Sequence, residues 1–355
     1  MKIGIPKEIK ILEGRVGLIP EAAGELIKRG HNVFVQSGAG TLSGYSDRDY
    51  EAVGVKIVPD AAKLYGTVEM IIKVKEPIGP ELELLQKHHL LFSYLHLAAA
   101  PELTRKLQSI GLTAVAFETV EETGGRLPLL APMSDIAGRL SVQIGTHLLH
   151  MPQGGRGVLL GGLPAAERGH VVVIGGGVAG GNAARVAASL GATVTVFDRS
   201  RDKLEHLREL GPNVTALYPY EHAIREAVAT ADLLVGAVLV VGEKAPHIVT
   251  ADMVKTMPKG SVIVDISVDQ GGCIETTRPT TYENPTFVWE GVTHFGVTNM
   301  PGAVPRSASQ ALSASLIPYT LRLIEPGWEN DPALSRGINV RGGKITHPAV
   351  LESMK

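Results

Sequence analysis

The 355 residues are 44% hydrophobic and 20% charged, an ordinary globular balance whose length favours two domains over one core. Lys and Arg total 34 and Asp and Glu 36, and the resulting net charge of −2 argues against an extended nucleic-acid surface. The single cysteine, Cys273, excludes an internal disulfide framework and suits a reducing compartment.

The opening "MKIGIPKEIK" lacks the apolar core and small-residue cleavage site of a secretory signal. "KIGIP" reads as a strand, "EAAGELIKRG" as a helix ending at Gly30, "HNVFVQSG" as a strand, and "SDRDYEAVG" as a short helix capped by Ser46. Four more strands follow, "VKIV", "EMIIKVKE", "LLFSYLHLA" and "LTAVAFETV", with helical runs "PELELLQKHH" and "PELTRKLQSIG" among them. Both runs open on Pro-Glu, a favourable first-turn pair. Strands alternating with helices imply a largely parallel sheet covered on both faces. "GGRLPLLAPMSDIAGRL" is a Gly- and Pro-containing crossing into a long helix from about Ser134 to His150.

A second α/β unit begins at "GHVVVIGGGVAGG" and runs to about Met300. Within it "LLVGAVLVVG" is too short to span a bilayer and reads as a buried strand. The last long helix, "SASQALSASLIPYTLRLI", follows completion of the second sheet and is expected to return to the first domain. The expected fold class is therefore α/β, with two doubly wound parallel-sheet domains separated by a hinged cleft. Residues 1–128 plus 303–355 form one domain and 129–302 the other. The expected location is cytoplasmic, with neither membrane nor nucleic acid as a partner.

"VVVIGGGVAGGNAARVAASLGATVTVFDRS" carries the most specific pattern. A β-branched run leads into Gly175, Gly177 and Gly180 at G-x-G-x-x-G spacing, followed by an Ala-rich helix and a second strand. The first glycine permits the tight turn, the second admits a pyrophosphate to the backbone, and the third lets helix and strand pack closely. The phosphates would meet the positive helix N-terminus. Asp198, ending the second strand, suits a ribose diol and favours NAD over NADP, while Arg199 beside it is the feature that would suit a 2′-phosphate.

Open α/β sheets bind ligands beyond the carboxyl ends of their strands. Lys75 ends "IIKVK", His96 ends "LLFSYLH", Asp269 ends "VIVDISVD", Asn299 follows "FGVT", and Arg15 lies in the loop after the first strand. Singly, each has a structural reading: a solvated lysine, a core histidine, a capping acid, an arginine paired with a surface carboxylate. Together they supply an anion clamp, a proton-exchanging imidazole and a carboxylate, which suits oxidation of a small charged molecule beside NAD. Lys73 and Lys75 share a strand face, and only Lys75 lies at the carboxyl end, so Lys73 is expected to be structural or at the rim, with Lys73→Ala mostly sparing activity and Lys75→Ala abolishing it. His147 and His150 share a helix face without further ligands, so no metal is expected.

The stretches "GIPKE", "KVKEP", "YLHLA", "PMSDIAGRLSVQ", "GVLLGG", "VVVIGGGVAG", "GAVLV", "VIVDISVDQGGC", "RPTTY" and "TNMPGAVPR" resemble the alanine dehydrogenase family, over residues 4 to about 306. The resemblance implies two Rossmann-like domains, NAD as cofactor, and reversible conversion of L-alanine to pyruvate and ammonia. It assigns Arg15 and Lys75 to the substrate carboxylate, His96 to acid-base work, Asp269 to the reacting carbon and Asn299 to the nicotinamide side. Ser134, Val178, Asp198, Lys203, Leu239 and Met300 match positions that touch NAD. The family also implies a homo-oligomer, commonly a hexamer. Gly14 and Ile19 depart from its pattern, standing where relatives carry Asn or Glu beside the arginine and Ser or Thr before the proline. Three alternatives share parts of the pattern: the NAD(H)-binding subunit of a proton-translocating transhydrogenase, a saccharopine-type dehydrogenase and a non-catalytic NAD-binding protein.

Overall fold

A computed structural model of the chain describes residues 1–238 and 245–355. Its strands, in chain order, are β1 (Lys2–Ile5), β2 (Asn32–Gln36), β3 (Lys56–Val58), β4 (Met70–Ile72), β5 (Leu90–Ser93), β6 (Thr113–Ala116), β7 (His170–Ile174), β8 (Thr193–Phe197), β9 (Val214–Leu217), β10 (Leu233–Gly236), β11 (Val262–Asp265), β12 (Thr286–Trp289), β13 (Val292–Phe295), β14 (Ile338–Arg341) and β15 (Lys344–Ile345). They fall into two compact units: residues 1–133 with 302–355, and residues 134–301.

The first unit is built on a sheet of order β15-β14-β6-β5-β4-β1-β2-β3, parallel from β6 to β3 and antiparallel at β14 and β15. One face carries the core of Leu64, Tyr65, Val68, Ile71, Leu91, Leu107 and their neighbours. The helix Pro305–Ile324 belongs to this unit and serves the loop after β1, where Ser309 and Ser313 hydroxyls accept the amides of Val16 (3.0 Å) and Ile19 (2.9 Å). The second unit has order β12-β13-β11-β10-β7-β8-β9, parallel except for the β12–β13 pair.

Several elements are shorter than their sequence patterns suggest. "EMIIKVKE" forms ladder only to Ile72 and "LLFSYLHLA" only to Ser93. In both, a carboxylate from elsewhere takes amides beyond the strand end: Glu8 accepts from Val74 at 2.6 Å, and Glu118 accepts from His96 at 2.6 Å. "PELELLQKHH" is helical only over Glu81–Leu84, because the His89 ring accepts the Gln86 amide at 2.9 Å and closes a turn there. The long helix after the crossing spans Ala131–Leu148. The stretch "LLVGAVLVVG" is strand over Leu233–Gly236, and its continuation at 239–242 lies outside the described residues.

Candidate active site

In the first unit the chain lays down β1, β2 and β3 in one direction, then returns to place β4, β5 and β6 on the other side of β1. Loops leaving β1 and β4 therefore diverge, which is where such sheets form a ligand crevice. Arg15 follows β1, Lys75 follows β4 and His96 follows β5, three neighbouring strands. The loop after β1 also folds back over β4: a Cβ on Gly17 would lie 2.8 Å from the Ile72 carbonyl oxygen, so only glycine allows that approach.

Arg15 is 2% exposed and locked by Glu13, whose carboxylate accepts Nε (2.7 Å), Nη2 (2.5 Å) and the Arg15 amide (3.0 Å). This is the forked, charge-assisted geometry that orients a guanidinium rather than merely neutralising it. Nη1 lies 3.1 Å from the Met133 sulfur. Burial disfavours the Arg15 charge, but Glu13 outweighs it and holds the group above its ordinary value. At Gly14 a Cβ would lie 3.0 Å from Leu42 Cβ and 3.2 Å from Pro305 Cβ, so a side chain there requires those neighbours to give way slightly. At Ile19 the helix Pro20–Lys28 has no side-chain cap.

Lys75 is half-buried. Burial, and after it the charge of Arg15, holds its amine below the ordinary lysine range, with Glu76 pulling the other way. The charge of Arg15 thus reaches the Lys75 amine.

His96 adopts φ 49°, a left-handed conformation that a non-glycine residue enters at a cost. Glu118 offsets that cost by accepting the amides of Leu95 (3.2 Å) and His96 (2.6 Å), and its Oε1 lies 3.9 Å from Nδ1. The imidazole stacks on Tyr94 at 6.1 Å between centroids and 6° between planes. Tyr94 is itself pinned through its hydroxyl, which donates to the Leu129 carbonyl at 2.5 Å.

Of the two readings of Lys73, structural and rim, the structural one holds: it is 1% exposed, with Nζ 3.1 Å from Glu8 and 3.3 Å from Glu81. Burial works against its charge, but the two carboxylates outweigh it and keep the amine above its ordinary value. Both lysines lie beyond β4, so strand alternation does not decide their orientations.

In the second unit the corresponding reversal falls between β7 and β10, and the glycine turn leaves β7 there. Gly175 has φ 99°, and a Cβ on it would lie 2.5 Å from the Ala237 carbonyl oxygen. A Cβ on Gly180 would lie 1.7 Å from the Gly175 oxygen, whereas one on Gly177 would meet nothing within 4 Å. Gly177 thus faces open space at the start of the helix Val178–Ser189, which has no side-chain cap. A diphosphate fits there: the backbone is bare and first-turn amides need acceptors. Gly180→Ala is expected to part strand from helix, costing about 1–3 kcal/mol of stability by overpacking. A fluorescence titration should then show nicotinamide dinucleotide affinity falling roughly tenfold or more, and unchanged affinity would refute the packing argument.

Asp198 follows β8 and accepts the amides of Gly176 and Ser200, both at 2.8 Å, with Lys203 Nζ 3.6 Å away. The acid therefore ties the glycine turn to the next strand. Val178 is exposed at the helix start. Ser134 lies in the first turn of the helix Ala131–Leu148, whose Gly138 approaches Ala179 so closely that a Cβ would lie 2.0 Å from its carbonyl oxygen. The Asp135 carboxylate accepts from Asn182 at 2.6 Å, joining the same two helices. Asp269 and Asn299 come together, the Asn299 amide donating to Asp269 at 3.4 Å, with Asn299 at φ 60°. Met300 is buried, and its carbonyl accepts the Tyr282 hydroxyl at 2.9 Å. Leu239 lies outside the described residues. Asp265 is structural, accepting the amides of Ser267, Cys273 and Ile274.

The sequence pattern does not reveal the residues that hold the candidate ones: Glu8, Glu13, Glu118 and Tyr94. Each stands in or beside a quoted stretch, but an acid in a loop gives no sign of its partner.

Family models described as "Alanine dehydrogenase/PNT", N-terminal and C-terminal domains, match residues 4–137 and 141–348. An alanine dehydrogenase of Halomonas elongata is 48% identical, over 99% of this chain and 96% of that enzyme. One of Bacillus subtilis is 47% identical, over 100% of this chain and 95% of that enzyme. A solved L-alanine dehydrogenase superposes with a TM-score of 0.96 at 52% identity, covering 99% of both chains. A transhydrogenase from Sinorhizobium meliloti gives 0.86 at 26% identity, over 98% of this chain and 100% of that one.

Proposed function

The chain belongs to the alanine dehydrogenase/PNT family, and from that premise we propose that it converts L-alanine reversibly to pyruvate and ammonia with NAD. The observation that carries the reading is near-half identity to alanine dehydrogenases along the whole chain, together with Arg15, Lys75 and His96 following the three neighbouring strands β1, β4 and β5. The transhydrogenase relationship is more distant, at 26% identity.

Arg15 and Lys75 hold the substrate carboxylate, with Glu13 keeping the guanidinium in its plane. The nicotinamide, when bound, supplies the acceptor for the Cα hydride. His96 takes up and returns protons as water adds to the imine carbon and ammonia leaves. Asp269 assists at the reacting carbon and Asn299 serves the nicotinamide side. On the cofactor, Gly175, Gly177 and Gly180 admit the diphosphate, and Asp198 with Lys203 receives the adenosine ribose, favouring NAD. Ser134, Val178, Leu239 and Met300 complete the cofactor contacts. Rate comes from positioning and from charges placed where they develop. The protein works as a cytoplasmic homo-oligomer, a hexamer by family habit; among the described residues no helix is long and apolar enough to cross a membrane.

The test is NAD⁺ reduction with L-alanine at alkaline pH, alongside glycine, serine and glutamate. Absence of NADH from all four would overturn the reading.

A pH dependence follows from Lys75, whose amine lies below its ordinary range. It must be protonated to hold a carboxylate, and a bound carboxylate raises its pKa. Affinity is therefore complete below the free-state pKa and declines as pH rises through it. Oxamate, a pyruvate isostere, should lose affinity up to about tenfold per pH unit above that point. Lys75→Arg, which stays charged, should flatten the calorimetric profile; equal slopes in both proteins would exclude Lys75 as the titrating group.

A further inference from the structure

The segment carrying Lys75 runs past the regular ladder of its strand. β4 ends at Ile72, and β1 beside it ends at Ile5. On the β5 side pairing continues, with the Lys73 amide donating to Phe92 (3.2 Å) and the Tyr94 amide donating to the Val74 carbonyl (3.1 Å). The Val74 amide takes its acceptor from the loop after β1 rather than from a strand. That acceptor is the Glu8 carboxylate. Oε1 accepts Val74 N–H at 2.6 Å, while Oε2 accepts Lys75 N–H at 3.4 Å and Lys73 Nζ at 3.1 Å.

Lys73 completes the arrangement from the other end. An ammonium has three donors, and here each has an acceptor: Glu8 at 3.1 Å, Glu81 at 3.3 Å and the Lys75 carbonyl at 2.9 Å. Glu81 in turn accepts Ile78 N–H at 3.0 Å and the Tyr65 hydroxyl at 3.1 Å. The side chains of Lys73, Glu8 and Glu81 are 1%, 2% and 4% exposed. Both peptide groups of Lys75, its amide and its carbonyl, thus end on two side chains withdrawn from solvent. Glu8 lies in the same loop as Arg15, so one carboxylate links the two halves of the clamp.

We infer that Glu8 and Lys73 are positioning residues for substrate recognition: they fix the Lys75 backbone against the Arg15 loop so that both cations meet one carboxylate. The inference rests on the function proposed above. Glu8→Gln is nearly isosteric and can still accept from Val74, but it turns an NH₂ towards the Lys75 amide and the Lys73 ammonium, donor against donor. Glu81→Gln is the control, because it changes one acceptor of Lys73 and leaves in place the Glu8 and Lys73 contacts to the Lys75 peptide.

In E8Q the KM for pyruvate should rise about tenfold or more, with a smaller fall in kcat and NADH affinity within about twofold of wild type. E81Q should lower the unfolding midpoint yet change that KM less than about threefold. The second readout needs no turnover. The rate of reductive methylation of Lys75, followed by mass spectrometry against pH, reports the basicity of an amine faced by Arg15, Lys10, Glu13 and Glu76. It should move up towards ordinary lysine in E8Q as the segment loosens, and stay in place in E81Q. Glu8→Asp, charged but shorter, supplies the same readouts if E8Q does not fold. A folded E8Q or E8D with unchanged KM and an unchanged Lys75 profile would overturn the inference. Wild-type protein inert towards pyruvate and ammonia would remove the functional reading instead, and the methylation profile would still decide whether Glu8 places Lys75.

Discussion

Replacing His96 with alanine lowers turnover about 10²–10⁴-fold, the range that a positioned acid-base group contributes, and leaves NADH affinity close to wild type. The expectation is specific because the imidazole contributes little to the core: its side chain is 52% exposed, against Tyr94 on one face and Glu118 near Nδ1. The backbone at φ 49° complicates alanine, which enters that region less readily than asparagine. His96→Asn should therefore keep the loop and still lose the reaction. Steady-state NADH formation, with cofactor affinity measured in parallel, checks both variants. If the asparagine variant retains wild-type turnover, proton transfer belongs to another group.

Lys73→Ala is the second large effect, and it falls on stability. Removing the amine leaves Glu8 and Glu81 facing each other in a dry interior, and breaking a buried pair in this way costs about 3–5 kcal/mol. Urea unfolding should show the loss as a lower midpoint. From the sequence, Lys73 reads as a structural or rim residue. The structure decides for the first, because the residue is 1% exposed and spends all three donors. A loss below about 1 kcal/mol, the scale of an exposed pair, would mean that the triad is solvated. Lys75→Ala, by contrast, should leave the midpoint nearly unchanged and abolish activity.

The same contrast runs through the rest of the site. Gly175, Gly177, Gly180 and Asp198 are legible because their chemistry is local: a turn needing a positive φ, a helix approaching a strand, an acid at the next strand end. The strand ends that present Arg15, Lys75 and His96 are legible for a similar reason, since parallel sheets offer ligands only at their carboxyl edge. The lengths of β4 and β5 are not. Their apolar alternation continues past the point where Glu8 and Glu118 capture the amides, and nothing in "GIPKE" or "AFETV" indicates which backbone those acids serve.

The sequence by itself determined the α/β class and marked the glycine turn and the polar side chains at the strand ends, because periodicity and spacing act over a few residues. Only the tertiary structure decided which lysine is buried and which is available, and what steadies each functional group. Glu8 meets Lys73 across 65 positions, Glu118 meets His96 across 22, and Ser309 supports the Arg15 loop across 293. Contacts so distant in the chain leave no local pattern, and their energies depend on burial that exists only once the sheet has formed.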